Sequence, residues 1–251
     1  MHAVAIMAKA PIAGAVKSRL VPPLTFAEAA ALNRAFLRDL CATIGAARTI
    51  AAANADGAEI GVAGFIAYTP AGAEAAFAGL LPADFTLFAQ HGDGLTERLI
   101  HAAEDLLGAG YASVTLMNSD SPTIPAATIA GAIAALDRAG DRVVIGGADD
   151  GGYCLIGLKR SYRRLFEEIA WSTAAVFAQT LERATELGLE VAAMPPWYDV
   201  DDATSLRRLI DELCVIAMRD DAAGSAPATR AALTDLFAGG LAERLADPVK
   251  R

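Results

Sequence analysis

The sequence is poor in the residues that stabilise small secreted proteins or build zinc sites. It has three cysteines and three histidines among 251 residues. Cys41, Cys154 and Cys214 are scattered, and no Cys-x-x-Cys pair or nearby histidine completes a zinc-binding pattern. The pattern excludes a disulfide framework and a zinc finger, and it predicts buried thiols in a reducing cytosol.

The sequence also lacks a long uncharged apolar run. No stretch reaches the roughly 18 residues that suggest a membrane-spanning helix. The first residues lead at once into a strand-like segment, without the basic start, apolar core and cleavage site of a signal peptide. We therefore expect a cytoplasmic protein with no membrane span.

Positive charge is scarce as well, with 21 Lys and Arg against 30 Asp and Glu and a net charge of −9. Nucleic acid is a poor partner for such a surface, so any phosphate site must be a local basic pocket. Aromatic residues make up 6% of the chain, whereas 54% is hydrophobic. Much of that is alanine, which suits helices packed closely on a sheet and argues against disorder.

Residues 113–122 read as a buried strand with an abrupt polar end. The apolar run at 114–117 is followed directly by polar residues at 118–121. Ligands of open α/β sheets bind just beyond the carboxyl ends of the strands. Asp120 at that place can hold a divalent cation, which in turn can hold a phosphate. A turn with an Asx-type hydrogen bond is the alternative.

A loop with three cations follows the first predicted strand, at residues 3–8. Lys9, Lys17 and Arg19 could converge on phosphate oxygens, and Gly14 lets the backbone approach a ligand closely. The loop is neither a Walker A sequence nor a GxGxxG dinucleotide fingerprint. An exposed basic loop on an acidic protein is the alternative.

A polar, glycine-rich turn leads into a helix that is predicted to end near Leu107. Gly94, at the start of this helix, lets a base or ribose approach, and Arg98 could reach a phosphate. For His91 in the same turn, a solvent-exposed position is the expectation.

Asp149 and Asp150 join two apolar strands at residues 142–147 and 154–158 in a hairpin-like excursion. Adjacent carboxylates are costly to bury without a cation or partner, so this turn is a candidate ligand or metal site. An ordinary Asp-Gly turn is the alternative.

A second acidic focus follows the last predicted strand. Asp199 and Asp201 lie two residues apart, so in extended backbone they project to the same side. The alternative is a group of acids that caps the helix starting near Ala203. Both interpretations can hold together.

Other segments complete the predicted secondary structure. Residues 25–28 form a capping box for a helix to about residue 44, and residues 222–227 have the composition of a linker. Further strands are predicted at residues 48–53, 65–68, 85–89 and 190–194. Further helices are predicted at residues 72–81, 126–138, 161–170, 171–187 and 228–245.

Six segments, taken in order, resemble a known family. They are MAKAPIAGAVKSRL, QHGDGLTERL, NSDSPTIP, ADDGGYCLIGL, WST and WYDVDDATSL. Over about residues 1–210 the chain resembles the bacterial glycosyltransferase-A-like proteins related to 2-phospho-lactate guanylyltransferase, in the nucleotide-diphospho-sugar transferase superfamily. Two positions depart from the family pattern: Asn118 stands where a small residue such as Gly is common, and Ser205 replaces an acid.

The resemblance implies an α/β fold with three α/β/α layers and a mostly parallel central sheet, the Rossmann-like GT-A fold. We expect the transferase domain at residues 1–221 and a C-terminal helical extension at residues 222–251. Packing and homodimer formation both stay open for that extension. A nucleotide sugar or nucleoside triphosphate would bind across the strand ends beside a small-molecule acceptor, with Mg²⁺ or Mn²⁺ as cofactor.

The resemblance also implies roles for single residues. Asp120 and Asp201, with Asp199 as a further candidate, match the metal-binding acids, and Lys17 and Arg19 match the loop beside the phosphates. Asp150 lies in the segment that matches the acceptor-side loop. It is the candidate base that deprotonates an acceptor hydroxyl, with Asp149 behind it.

Three functions remain in order of preference. The first is a metal-dependent glycosyltransferase that uses a nucleotide sugar. The second is a nucleotidyltransferase that releases pyrophosphate, in which the substrate's own phosphate or carboxylate attacks and no protein base is needed. The third is a non-catalytic nucleotide-binding protein, against which the acids at positions 120, 150 and 201 argue.

Overall fold

A computed structural model describes residues 1–54, 60–215 and 226–246. The described strands form one sheet in the order β3-β2-β1-β4-β6-β5-β7. In chain order they are β1 His2–Lys9, β2 Val62–Thr69, β3 Phe85–Ala89, β4 Ser113–Met117, β5 Arg142–Ala148, β6 Tyr153–Leu158 and β7 Glu190–Trp197. Strand β6 runs antiparallel to β4 and β5, and the other neighbouring pairs are parallel. The prediction of a mostly parallel sheet is confirmed.

Helices cover both faces of this sheet. They are α1 Phe26–Asn54, α2 Gly94–Gly108, α3 Ala126–Asp137, α4 Val176–Glu186, α5 Ala203–Ile210, α6 Pro227–Ala238 and α7 Leu241–Ala246. Strand β1 is buried on both sides, because Val4 and Ile6 join the apolar cluster of α1 and α3, whereas Ala3 and Ala5 join that of α2. The predicted three-layer α/β/α fold is confirmed.

The C-terminal helices pack against α1. The carboxylate of Asp39 accepts hydrogen bonds from the backbone N–H of Ala228 (2.9 Å) and Thr229 (2.7 Å), at the first turn of α6. Leu233 and Leu241 share an apolar cluster with Phe36 of α1. The helix pair predicted at residues 228–245 is therefore present, while the predicted linker lies mostly outside the described residues.

The predicted strand at residues 48–53 is wrong, because α1 continues without a break to Asn54. Ile44, Ala47 and Ala51 are each 2% exposed or less. They recur every three to four residues, which is the spacing of one helix face. A strand would divide these side chains between two faces, so burial overrides the local preference of Thr49 and Ile50 for strand.

Two predicted helices are reduced to single 3-10 turns. Residues 161–170 contain only Arg163–Leu165, and Glu168 then has a φ of +56°. Residues 72–81 contain Glu74–Phe77 between Gly72 and Gly79, which both have positive φ. A left-handed residue cannot continue a right-handed helix, so these positions end the turns. The helix predicted from residue 171 begins later, at Val176.

The predicted hairpin between β5 and β6 is confirmed. Its turn requires glycine at position 151, where φ is +86° and a Cβ would collide with the backbone of Ala174. Because β4, β5 and β7 run in the same direction, this turn lies at the edge where β1, β4 and β7 also end. No described helix has the length and apolar character needed to cross a membrane.

Candidate functional site

Three segments that follow strand ends meet around the ammonium group of Lys17. Its Nζ lies 2.6 Å from Asp120 Oδ1, beyond β4, and 3.1 Å from Asp201 Oδ1, beyond β7. It also donates a hydrogen bond to the carbonyl oxygen of Val200 at 2.8 Å. These contacts use all three of its N–H donors. The Lys17 side chain is 5% exposed, so it is a fixed part of the site.

The backbone holds the two acidic segments together. The N–H of Val200 donates to the carbonyl oxygen of Asp120 at 2.8 Å. Tyr198 and Val200 are buried in the apolar cluster beside α1, whereas Asp201 contacts Lys17 and Asp199 contacts Asn118 and Ser121. That the two acids project to the same side stays a prediction. The segment ends at Asp202, whose side chain accepts hydrogen bonds from backbone N–H groups in the first turn of α5 and so caps this helix.

A first cleft of about 310 Å³ opens on the Lys17 side of Asp120. Lys9, Lys17, Arg19 and Arg98 line it, against two carboxylates from Asp120 and Asp201. Arg19 is 72% exposed and contacts Asp201 Oδ2 at 2.5 Å. Four cations against two acids make this cleft locally positive on a protein of net charge −9, as an anion site requires.

Gly14 and Gly94 are not among the residues that line this cleft. Their φ angles are +82° and +80°, and a Cβ at either position would meet nothing within 4 Å. They are therefore needed for the course of their loops, which carry Lys17 and Arg98, and their predicted direct approach to a ligand stays a prediction.

A second cleft of about 280 Å³ lies on the other side of Asp120. Its carboxylates are Asp120, Asp150 and Asp199, and no Lys, Arg or His is among the described residues that line it. Trp171 stands in its wall, where the indole N–H donates to Thr96 Oγ1 at 2.7 Å. Asp120 therefore forms part of both clefts.

Asp199 is the most perturbed carboxyl group of the site. Burial raises its pKa to about 6, and the negative charges of Asp120 and Asp201 act in the same direction. Hydrogen bonds that its Oδ1 accepts from Asn118 Nδ2 (2.7 Å) and Ser121 Oγ (2.5 Å) oppose the rise. Burial therefore favours the protonated form of Asp199 more than that of an exposed aspartate.

The two acids of the β5–β6 turn separate. Asp150 lines the second cleft, and its Oδ1 accepts a hydrogen bond from the N–H of Gly152 at 2.8 Å. Asp149 lines neither cleft. Its Oδ2 accepts instead from Arg208 at 2.5 Å. Of this pair, Asp150 is the one in position to meet a ligand.

Asp120 and Asp201 fit a divalent cation. One oxygen of each lies within 3.1 Å of the same Lys17 Nζ, so the two groups converge on one point from different strand ends. No group of three or more His, Cys, Asp and Glu able to hold a metal occurs within the described part of the chain. Two carboxylates completed by substrate phosphate oxygens suit Mg²⁺. Asp199 fits less well, because its Oδ1 already accepts two hydrogen bonds.

Two comparisons bear on the family. Residues 49–173 match a family model described as "Uncharacterized protein conserved in bacteria (DUF2064)". A solved structure from Desulfovibrio desulfuricans G20, named a "putative nucleotide-diphospho-sugar transferase", is 30% identical over 97% of each chain, with a TM-score of 0.78. The chain belongs to the DUF2064 family, in the nucleotide-diphospho-sugar transferase superfamily. The family predicted from the ordered motifs is thereby confirmed.

Two more distant solved structures also match the chain. A cytidylyltransferase from Leptospira borgpetersenii serovar Hardjo-bovis (strain JB197) is 9% identical over 100% of this chain and 99% of its own, with a TM-score of 0.49. A CMP:2-keto-3-deoxy-manno-octonic acid synthetase complexed with CTP is 12% identical over 87% and 99%, also at 0.49. Neither similarity is high enough to bear on the reaction. No protein with a curated description matches the chain.

The DUF2064 match covers only part of the site. It includes Asp120, Asp150 and Trp171, whereas Lys17 and Asp201 lie outside residues 49–173. The site is therefore completed by the loop after β1 and the segment after β7, which the D. desulfuricans relative also covers.

Some residues of this DUF2064 protein were not predicted for the site. Asn118 and Ser121 hold Asp199, and Trp171 forms a wall that its motif alone does not reveal. Asn33 lines the first cleft from α1 and is 3% exposed; its Oδ1 has no hydrogen-bond partner among the described residues. The sequence could have indicated Asn33, because it is a polar residue on the apolar face of a predicted helix.

Proposed function

We propose that this protein is a metal-dependent glycosyltransferase that uses a nucleoside-diphosphate sugar. The observation that carries the proposal is the meeting of two clefts of opposite charge at Asp120. Four cations line the first cleft, and three carboxylates line the second. The diphosphate of the donor would bind among the cations, and the sugar and the acceptor would meet beside the carboxylates.

The chain's own residues suit the charge changes of this reaction. Cleavage of the bond between sugar and diphosphate leaves negative charge on the departing phosphate oxygens, which Lys9, Arg19 and Arg98 would stabilise. A Mg²⁺ or Mn²⁺ ion held by Asp120 and Asp201 would add Lewis-acid stabilisation of the same oxygens. Asp150 would accept the proton of the acceptor hydroxyl as that oxygen bonds to the sugar carbon.

Nucleotidyl transfer is the second candidate, since four cations also suit a triphosphate. In that reaction an anionic group of the substrate attacks the α-phosphorus, and pyrophosphate leaves. The second cleft disfavours it, because the attacking anion would face Asp150 and Asp199, and no cation is among the described residues that line this cleft. The name of the D. desulfuricans relative also supports sugar transfer.

A ligand panel tests the function. Thermal midpoints and calorimetry would be recorded with nucleoside triphosphates, diphosphates and nucleotide sugars, each with and without Mn²⁺. A true ligand stabilises the native state by mass action, and we expect diphosphates and nucleotide sugars to do so in a Mn²⁺-dependent way. Preference for a triphosphate together with pyrophosphate release would establish the second candidate. Metal-dependent binding of no nucleotide would refute both.

A further inference from the structure

The second cleft has a chemical character that the reaction class alone does not imply. Asp120, Asp150 and Asp199 contribute three carboxylates, and the described residues that line the cleft include no cation. Whatever binds beside these acids must do so without a positive partner from this wall.

Two cations near these acids, Lys17 and Arg208, are paired with other groups. The ammonium of Lys17 is held by Asp120, Asp201 and the carbonyl of Val200, on the side of the first cleft. Arg208 is engaged with Asp149 and lies with its guanidinium carbon 3.8 Å from the centroid of the Tyr198 ring. Neither residue lines the second cleft, so neither can contact a ligand there directly without leaving its partners.

The rest of the wall is largely apolar and firmly held. Trp171 is fixed by its hydrogen bond to Thr96 and packs edge-on against Tyr153, with ring centroids 6.2 Å apart. Apolar side chains from three elements complete this surface: Leu95, Leu99, Leu116, Met117 and Val176. A fixed aromatic face beside hydrogen-bond acceptors binds ligands that combine an apolar surface with hydroxyl groups.

We propose that the second cleft binds an acceptor without phosphate or carboxylate groups, a neutral hydroxyl compound whose apolar face packs on Trp171. Its hydroxyls would donate to the carboxylates that line the cleft. These carboxylates would repel an acceptor that carries an anionic group. This repulsion would make the cleft selective for neutral acceptors. The inference rests on the proposed function only in naming this second ligand the acceptor.

Matched pairs of small probes test the inference directly. Methyl β-D-glucopyranoside would be compared with glucose 6-phosphate, and cyclohexanol with cyclohexyl phosphate, by saturation-transfer NMR. The protein would be used both free and loaded with Mn²⁺ and a nucleoside diphosphate. We expect the neutral member of each pair to bind at least about tenfold more tightly, because like charges repel at short range. Trp171→Ala should remove that binding.

A variant that adds a positive charge to the cleft tests the same inference, because it should weaken the preference for neutral ligands. Ser172 lines the cleft and is exposed, so Ser172→Lys adds a cation there without burying it. It should reduce the preference for neutral probes at least about fivefold. Ala174→Lys is the matched control, because Ala174 is exposed nearby and does not line the cleft. It should leave the preference unchanged.

Three results would overturn the inference: an anionic probe that binds as well as its neutral partner, binding of no probe at all, or an unchanged preference in Ser172→Lys. The measurement on nucleotide-free protein keeps these results separate from the proposed function. Failure of the nucleoside diphosphate to bind would count against the function, whereas the probe preference would still decide the character of the cleft.

Discussion

The ammonium of Lys17 lies 2.6 Å from Asp120, the carboxylate that forms part of both clefts. Lys17 thereby places a positive charge at the boundary between the proposed phosphate side and the proposed acceptor side. Asp201 contacts the same ammonium at 3.1 Å. Asp120 and Asp201 would hold a divalent cation only in place of this ammonium, since both carboxylates now contact it.

Replacing Lys17 should therefore strengthen metal binding, while it lowers the free energy of unfolding of the metal-free protein. Lys17→Met removes the competing cation and with it the ion pair of Asp120, and leaves Asp201 paired with Arg19. We therefore expect Mn²⁺ to bind at least about tenfold more tightly. The free Mn²⁺ signal in electron paramagnetic resonance would measure this. Lys159→Met, which removes an equal charge from a lysine bound to carbonyl oxygens outside both clefts, is the control. Equal or weaker Mn²⁺ binding by Lys17→Met would contradict the competition.

Arg19 should contribute to nucleotide affinity beyond the effect of a surface charge. Arg19→Met should weaken binding of a nucleoside diphosphate by about tenfold, because charge-assisted hydrogen bonds to phosphate are lost. Arg160→Met is a close control, since both arginine side chains are 72% exposed and each is paired with an aspartate that is about one-third exposed. Similar losses in both variants would show that Arg19 has no specific contact with the ligand. Calorimetry would measure both.

The strands and their ends were largely predictable from the sequence. Segments such as Ser113–Met117 are short, apolar and bounded by polar or turn residues, so periodicity identifies them well. The capping box at Thr25 and Glu28 is also present, with both reciprocal hydrogen bonds. Parallel strands place their carboxyl ends at one edge, and for this reason the sequence predicts that Lys17, Asp120 and Asp201 lie close together, as they do.

Side-chain partnerships were beyond prediction, because they depend on rotamers and on packing between distant segments. Nothing in the sequence indicates that Lys17 is paired with two acids while Lys9 is exposed. The separation of Asp150 from Asp149 likewise follows from the position of Arg208, some sixty residues later. The strand predicted at residues 48–53 failed for a related reason: the burial of Ala47 and Ala51 against other elements decided the local structure.

The contact between Glu28 and Arg244 joins α7 to α1 and should make stability depend on pH. A hydrogen bond from Arg244 lowers the pKa of Glu28 to about 2, so this contribution is complete above pH 4.5 and is lost as the pH falls toward 2. Glu28→Gln should cost about 1–2 kcal/mol at pH 7, after allowance for partial exposure, and much less near pH 2, where about half of the carboxyl groups are protonated. Urea unfolding across this range would measure it.

Glu243→Gln, which changes an exposed glutamate next to Arg244 on α7, is the control for that experiment. A loss in Glu28→Gln of equal size at pH 2 and pH 7 would contradict the ion pair as its cause. Confirmation would mean that packing of α7 on α1 contributes to the stability of the fold.

The hydroxyl of Tyr153, next to Trp171 in the wall of the second cleft, is buried without a hydrogen-bond partner among the described residues. Burial of an unpaired hydroxyl costs free energy, so Tyr153→Phe should leave the free energy of unfolding unchanged or raise it by about 1 kcal/mol. Tyr198→Phe should instead lower it by about 1 kcal/mol, because that hydroxyl donates to Glu212 and accepts from Thr123. Urea unfolding of both variants at one pH would compare them. A loss in Tyr153→Phe as large as that in Tyr198→Phe would mean that the Tyr153 hydroxyl has a partner in solution, such as a bound water, and would contradict the prediction.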